Sequence, residues 1–179
     1  MPTIFSHPAV PLAMGLGLGR QIIPPPLLAT GIFLAILPDL DMALMRLGGI
    51  AYADNFGHRG FSHSFVFALV IALLVGKWAT RWQSSFRVVF WFLFVSLVSH
   101  GILDCFTNGG HGIGLLWPFS DERFFAPWQP IEVAPLRLAR FFSMRGVEVL
   151  TSELIWVWFP ALLVGLGLRR WQRPTGQGL

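Results

Sequence analysis

Eight polar residues interrupt a chain that is otherwise mostly apolar: His7, Asp39, Asp41, His58, Arg59, His63, His100 and Asp104. Imidazole and carboxylate are the donors that hold zinc and similar divalent ions. His100 and Asp104 stand four apart in Ser99-His100-Gly101-Ile102-Leu103-Asp104. A helix presents both from one face, one turn apart. Taken alone, that pair reads more readily as a buried His–Asp hydrogen bond than as a metal site. In Leu37-Pro38-Asp39-Leu40-Asp41 two carboxylates lie two apart. They cannot share a helix face, but a chain leaving a helix in extended form points both the same way; an ordinary helix cap is the bland alternative. His58-Arg59-Gly60-Phe61-Ser62-His63-Ser64 gathers two imidazoles and a guanidinium. Gly60 allows a tight turn that folds His58 back toward His63.

Together these residues supply what a site for one or two divalent ions needs, with zinc the first choice and manganese the second. The candidate ligands are His7, Asp39, Asp41, His58, His63, His100 and Asp104, and the spacing does not divide them between ligand, base and support. A bound divalent ion lowers the pKa of its water toward ~7, and two ions stabilise both oxygens of a phosphoryl displacement. Asp41, Arg59 and Arg123 are the candidates for direct catalytic work, the two arginines because a guanidinium matches phosphate oxygens in pairs. For Arg123 the competing reading is a surface or lipid-headgroup contact. His111 sits in a glycine-rich loop without a partner at ligand spacing, and Cys105 is turned off the His100/Asp104 face. Nothing provides Ser62 or Ser64 with the oriented base and oxyanion hole of a nucleophilic serine.

The elements that must position these groups are membrane helices. Of 179 residues, 54% are hydrophobic and only 12% charged, about half the charged share of a soluble domain. That excludes a disordered chain, a disulfide-stapled secreted domain and an ordinary cytosolic enzyme. The net charge of +4 comes from arginines scattered at the ends of apolar runs, with no basic stripe of the kind nucleic acid requires. Two runs, Phe61–Trp78 and Phe86–Leu103, each span 18 residues, or roughly 27 Å as helix. Thr151–Leu168, with Pro160, is a third, and Ile22–Pro38, led by Pro24-Pro25-Pro26, a fourth. Pro8–Gly19 is apolar but short. Pro135–Val147 mixes Arg137, Arg140 and Arg145 with apolar residues, as a helix lying in the headgroup plane would. The expected fold is all-α: a single membrane domain of residues 1–179, a bundle of four to five membrane segments with an interfacial helix in an extramembrane loop. Met1-Pro2-Thr3 brings no basic region ahead of the apolar stretch, which argues against a cleaved signal peptide.

Lysine and arginine favour cytoplasmic loops. Placing Arg20, the Lys77/Arg81/Arg87 loop and the Arg169/Arg170/Arg173 tail inside puts seven bases and no acid there. The other side then holds six bases and all nine acids. Every metal-type residue falls at the outer end of its segment in this arrangement.

The same residues resemble the YdjM-like membrane-bound metal-dependent hydrolases of bacteria. The resemblance rests on the early His7, on Leu37-Pro38-Asp39-Leu40-Asp41, on His58-Arg59-Gly60-Phe61-Ser62-His63-Ser64, and on His100-Gly101-Ile102-Leu103-Asp104 running through Thr107 and Gly109-Gly110 to Trp117-Pro118, with Arg123 beyond. It covers about residues 7 to 123. The order of ligand types is also similar to zinc-dependent phospholipase C, although a later His-x-x-x-Glu is missing. The resemblance implies a multi-pass bacterial inner-membrane hydrolase, phosphoesterase-like, acting on a membrane lipid or lipid-linked substrate and not on nucleic acid. The rival from another class is a non-catalytic membrane protein whose metal or polar cluster is structural and which binds a protein partner; the resemblance itself points to a transcriptional repressor.

Overall fold

Prolines and serines set where the helices begin. The structure, a computed structural model, describes residues 1–135 and 138–172. Helix α1 (Ala9–Leu18) follows Pro8 directly. Helix α2 (Pro25–Ile36) carries proline in its first turn, where the missing N–H costs least. Pro38 then tightens the path into a 3₁₀ turn, Leu37–Leu40, before α3 (Asp41–Gly48). Helices α4 (Phe65–Gly76) and α5 (Phe86–Cys105) each start at a serine whose hydroxyl accepts a backbone N–H: Ser64 from Phe67 and Ser85 from Val88. A long loop leads to α6 (Leu138–Phe141), α7 (Met144–Glu153), a wider π turn at Leu154–Trp158, and α8 (Phe159–Trp171). No strand occurs among the described residues, only isolated bridges Thr107–Ile131 and Ile113–Phe124.

Helix α5 is the centre of the bundle. Its Val89, Phe92, Leu93 and Leu97 pack with Leu27 and Leu34 of α2 and Ala68 and Ala72 of α4. Helix α1 lies against α8, beside a smaller cluster of Ala9, Ile131 and Val157. The outward faces are apolar: Leu69, Leu73 and Leu74 on α4, Trp91 and Val95 on α5, and Phe159, Leu162, Leu163 and Val164 on α8 are all exposed. A belt of that kind suits lipid, not water. Among the described residues three helical paths are long and apolar enough to cross a membrane: Pro25–Gly48, Phe86–Cys105 and Met144–Trp171; α1 and α4 are shorter apolar helices.

Several sequence expectations are corrected here. Phe61–Trp78 is not one 18-residue helix: Phe61–His63 forms a separate 3₁₀ turn, Ser64 is extended, and α4 covers only Phe65–Gly76. The reason is that this turn delivers His63 into the interior before the capped helix begins. The segment after α2 does not leave in extended form; it continues helically through both aspartates to Gly48. The last apolar helical path is longer than Thr151–Leu168, starting at Met144. Pro160 is accommodated by the preceding π turn, where the N–H of Phe159 reaches the carbonyl of Leu154. An interfacial helix over Pro135–Val147 is not present. Leu136 and Arg137 lie outside the described residues, Leu138–Phe141 is a single turn, and from Met144 the chain belongs to the long helix. Ser143 makes the break, donating to the carbonyl of Arg140 and accepting from the N–H of Arg145. Arg145 meets Glu132 at 2.7 Å and Glu148 at 3.1 Å.

Candidate metal centre

One end of the bundle collects the polar residues. His7 precedes α1, Asp39 lies in the 3₁₀ turn after α2, Asp41 begins α3, His63 sits in the turn before α4, and His100 and Asp104 occupy the last turns of α5. Each has under a tenth of its surface exposed. Gly101 makes the meeting of α5 and the His63 turn possible, since a Cβ there would stand 2.8 Å from the carbonyl oxygen of His63.

Four donors form one tight group: Asp39, His63, His100 and Asp104, with ligand atoms all within 4.8 Å of one another. His63 Nε2 faces His100 Nε2 at 3.0 Å and Asp104 Oδ2 at 3.5 Å. His100 Nε2 lies 3.4 Å from Asp39 Oδ1 and 4.0 Å from Asp104 Oδ2. Donors about 2.0–2.1 Å from a tetrahedral zinc sit about 3.3 Å from each other, so these separations bracket one coordination sphere. The imidazole of His100 is oriented by its Nδ1, which donates to the carbonyl of Ala35 at 2.7 Å and leaves Nε2 with a free lone pair.

Hydrogen bonding separates the two aspartates of the Asp-x-Asp pair. Asp41 is fully hydrogen-bonded: Oδ1 accepts from His58 Nδ1 at 2.7 Å, and Oδ2 accepts from the Ser62 hydroxyl at 2.7 Å and the Arg59 N–H at 3.3 Å; with His58 and His63 it also forms a second group at metal-ligand spacing, its donor atoms within 4.8 Å of one another. Both oxygens of Asp39 and of Asp104 are buried without any hydrogen-bond partner, as are both ring nitrogens of His7. Buried polar groups are normally paired, so a set of orphaned oxygens and nitrogens around one point fits a cation. His7 stacks on His100, centroids 3.7 Å apart, with Nε2 3.5 Å from Asp39 Oδ2. Burial, reinforced by neighbouring His100, pushes the His7 imidazolium pKa down to about 3, and burial also lowers that of His63. Both rings are therefore neutral at physiological pH, the form that ligates metal.

The two arginines are occupied by protein. Arg59 has none of its surface exposed and lies in the left-handed region, at φ +65°. Its guanidinium donates to the carbonyls of Gly109 and His111 and to Thr107 Oγ1, and its Nε lies 3.4 Å from Asp104 Oδ2. These bonds hold a backbone conformation that costs on the order of 1–2 kcal/mol. The turn that brings His58 toward His63, ring centroids 5.5 Å apart, thus takes its positive φ at Arg59 and not at Gly60. Gly60 is needed for space, because a Cβ would strike the Asn55 carbonyl. Arg123 donates to the carbonyls of Ala53, Asp54, His58 and Gly112. It ties two loops together beside the cluster.

The YdjM inner membrane protein model matches residues 1–175 of the chain. The chain belongs to the YdjM inner membrane protein family. It is similar to inner membrane protein YbcI of Escherichia coli (strain K12), 53% identical over 174 residues, which is 97% of this chain and 99% of that one. No solved structure matches it. Family membership gives an inner-membrane setting, and the apolar helices agree with it. The chemistry of this YdjM-family chain has to be argued from the cluster.

Glu153 and a cavity of this YdjM-family site were not singled out from the sequence, and Thr107 entered only through the family resemblance. Glu153 is buried and accepts from the Thr3 backbone N–H, the Thr3 hydroxyl at 2.6 Å and the Ser6 hydroxyl at 2.6 Å. It thereby pins the segment that carries His7. Its signal was present, as an acid inside the expected span Thr151–Leu168. Thr107 bridges Arg59 to the Asp104 carbonyl. A cavity of about 450 Å³ runs beside the cluster, with Tyr52, His58 and His111 among its lining residues.

Proposed function

We propose that this YdjM-family chain is a metal-dependent membrane hydrolase that cleaves a phosphoester of a lipid or lipid-linked molecule with metal-activated water. The observation that carries the reading is the group Asp39, His63, His100 and Asp104, whose spacing fits one divalent ion and whose carboxylate oxygens have no hydrogen-bond partner. Zinc is the first choice and manganese the second. A divalent ion supplies water ionised near neutral pH and polarises the ester oxygen. In this reading those four residues hold the ion and His7 stands beside it as a fifth donor. Asp41 orients His58 and His63. Arg59 fixes Asp104 and the 107–111 loop, and Arg123 braces the loops at the mouth, so that both arginines are positioning residues and not the phosphate clamps that spacing alone suggested. The polar end of the substrate enters the cavity between Tyr52, His58 and His111. The chain has four to five membrane segments with the cluster on the outer side. Arg20 and Arg169 at one shared cavity, and Arg87 at a neighbouring one, support that topology by lying together at the opposite end.

One observation favours a second reading. All four donors are buried protein groups, enough to close a four-coordinate sphere as structural sites do. In that case the ion stabilises the bundle and the function is binding a protein partner. Detergent-purified protein assayed for bound metal, then screened with phospholipids and chromogenic phosphoesters in the presence of zinc or manganese, decides. The hydrolase reading expects stoichiometric metal that is lost in His100→Ala/Asp104→Ala, and turnover abolished by His63→Ala at an unchanged thermal midpoint. Metal content unaffected by that double substitution, or no turnover of any ester by the metal-loaded protein, refutes it.

A further inference from the structure

A second, wider cavity lies at the end of the bundle opposite the His/Asp cluster. It measures about 830 Å³ and is enclosed by the last turns of α1, the chain through Arg20 to the start of α2, and the end of α8. Its polar wall carries Arg20, Arg169 and Gln172, and its apolar wall Leu12, Leu16 and Leu28. Both arginines are exposed, and neither forms an ion pair among the described residues, where the arginine pairs are those of Arg59 and Arg145. Among the described residues no side-chain carboxylate lines the cavity, since the nine acids lie between residues 39 and 54 and between 104 and 153. Two guanidiniums sharing one recess without a counter-ion repel each other, and an anion between them relieves the repulsion. A free anion would have no use for the leucine wall. Trp171, exposed at the same end of α8, and Trp78, exposed after α4, mark the depth at which aromatic side chains meet lipid headgroups.

We propose that this cavity is a binding site for an anionic phospholipid, its phosphate held by Arg20 and Arg169 and an acyl chain laid along Leu12 and Leu16 of α1. Basic recesses between membrane helices take such headgroups, and the volume lies within the range of specific ligand pockets. The site shares no residue with the metal cluster and stands independently of the hydrolase reading.

Native mass spectrometry of the full chain, exchanged from detergent into mixtures of dioleoylphosphatidylglycerol and dioleoylphosphatidylcholine, tests it. The expected result is selective retention of one phosphatidylglycerol. Each arginine near a lipid phosphate contributes about fivefold, so Arg20→Gln/Arg169→Gln is expected to weaken retention about 25-fold. Lys77→Gln/Arg81→Gln removes the same charge near the same end without touching the cavity and is expected to leave retention unchanged. Gln172→Trp narrows the cavity with both arginines kept, and is expected to weaken retention even if the double variant does not fold. Equal retention of the two lipids, or equal losses in the cavity and control variants, overturns the proposal. Displacement of the lipid by excess inorganic phosphate at constant ionic strength also overturns it, leaving a simple anion site.

Discussion

Replacing Asp41 by asparagine separates the group that orients ligands from the groups that ligate. Asp41 accepts three hydrogen bonds, from His58 Nδ1, the Ser62 hydroxyl and the Arg59 N–H, and its Oδ2 lies 3.4 Å from His63 Nδ1. Ser62 Oγ also stands 3.0 Å from His63 Nδ1. The carboxylate thus keeps the proton of His63 on Nδ1 and the lone pair of Nε2 aimed at the cluster. An asparagine amide turns one acceptor into a donor, so at least one of the three hydrogen bonds is lost or reversed, and the negative charge that holds the His63 tautomer is gone. Partners of this kind behind a ligating histidine are worth about 10- to 100-fold in metal affinity, or roughly 1.4 to 2.7 kcal/mol. Asp104→Asn takes away a donor atom instead and is expected to cost more than that, leaving the protein without stoichiometric metal. Competition of each purified variant against a chromogenic zinc chelator measures both constants. An Asp41→Asn affinity equal to that of the unaltered protein would show that the hydrogen-bond network does not tune the site. A loss as large as that of Asp104→Asn would make Asp41 a ligand and overturn the division argued here.

Glu153→Leu is expected to destabilise the bundle by about 1–3 kcal/mol, the cost of donors left unmatched in a buried site, read as a lower thermal midpoint; the N-terminal segment should then become protease-sensitive while α5 stays protected. Gly31→Ala is expected to lower the midpoint, because its Cβ would lie 2.6 Å from Cζ of Phe92, an overpacking that costs about 1–3 kcal/mol. Gly167→Ala, with nothing within 4 Å of the added carbon, should leave the midpoint equal or slightly higher, and a fall comparable to that of Gly31→Ala would contradict the packing. The His7 imidazole is held neutral in the folded chain down to about pH 3, whereas an unfolded histidine takes its proton near pH 6.5. Metal-stripped protein should therefore lose stability as pH falls from about 6.5 toward 3, and His7→Asn should flatten that dependence in thermal melts; an unchanged slope would exclude His7 as its source.

Much of this molecule is local and therefore readable along the chain. Apolar runs must be helical in lipid because no water satisfies their backbone, and the long helices duly occupy those runs. The pairing of His100 with Asp104 follows from helical periodicity alone, and both side chains do face one point. Periodicity did not serve Asp39 and Asp41, for which an extended exit was expected. A proline-tightened helical turn sends one carboxylate to His100 and the other to His58.

The amino-acid sequence by itself determined that this is a helical membrane protein, which residue types crowd one end of it, and which pairs are neighbours within a turn. Packing of distant segments, in contrast, brings Asp39, His63, His100 and Asp104 within ligand reach of one another, gives Asp41 its three hydrogen bonds, turns Arg59 and Arg123 onto backbone carbonyls, and carries Glu153 to Thr3 and Ser6. Apart from His100 and Asp104, those partners lie between 11 and 150 residues apart. Spacing along a chain constrains contacts only over a turn or two. Beyond that, which side chains meet depends on which helices pack, and here close approaches such as that of Gly101 to the His63 turn set the answer.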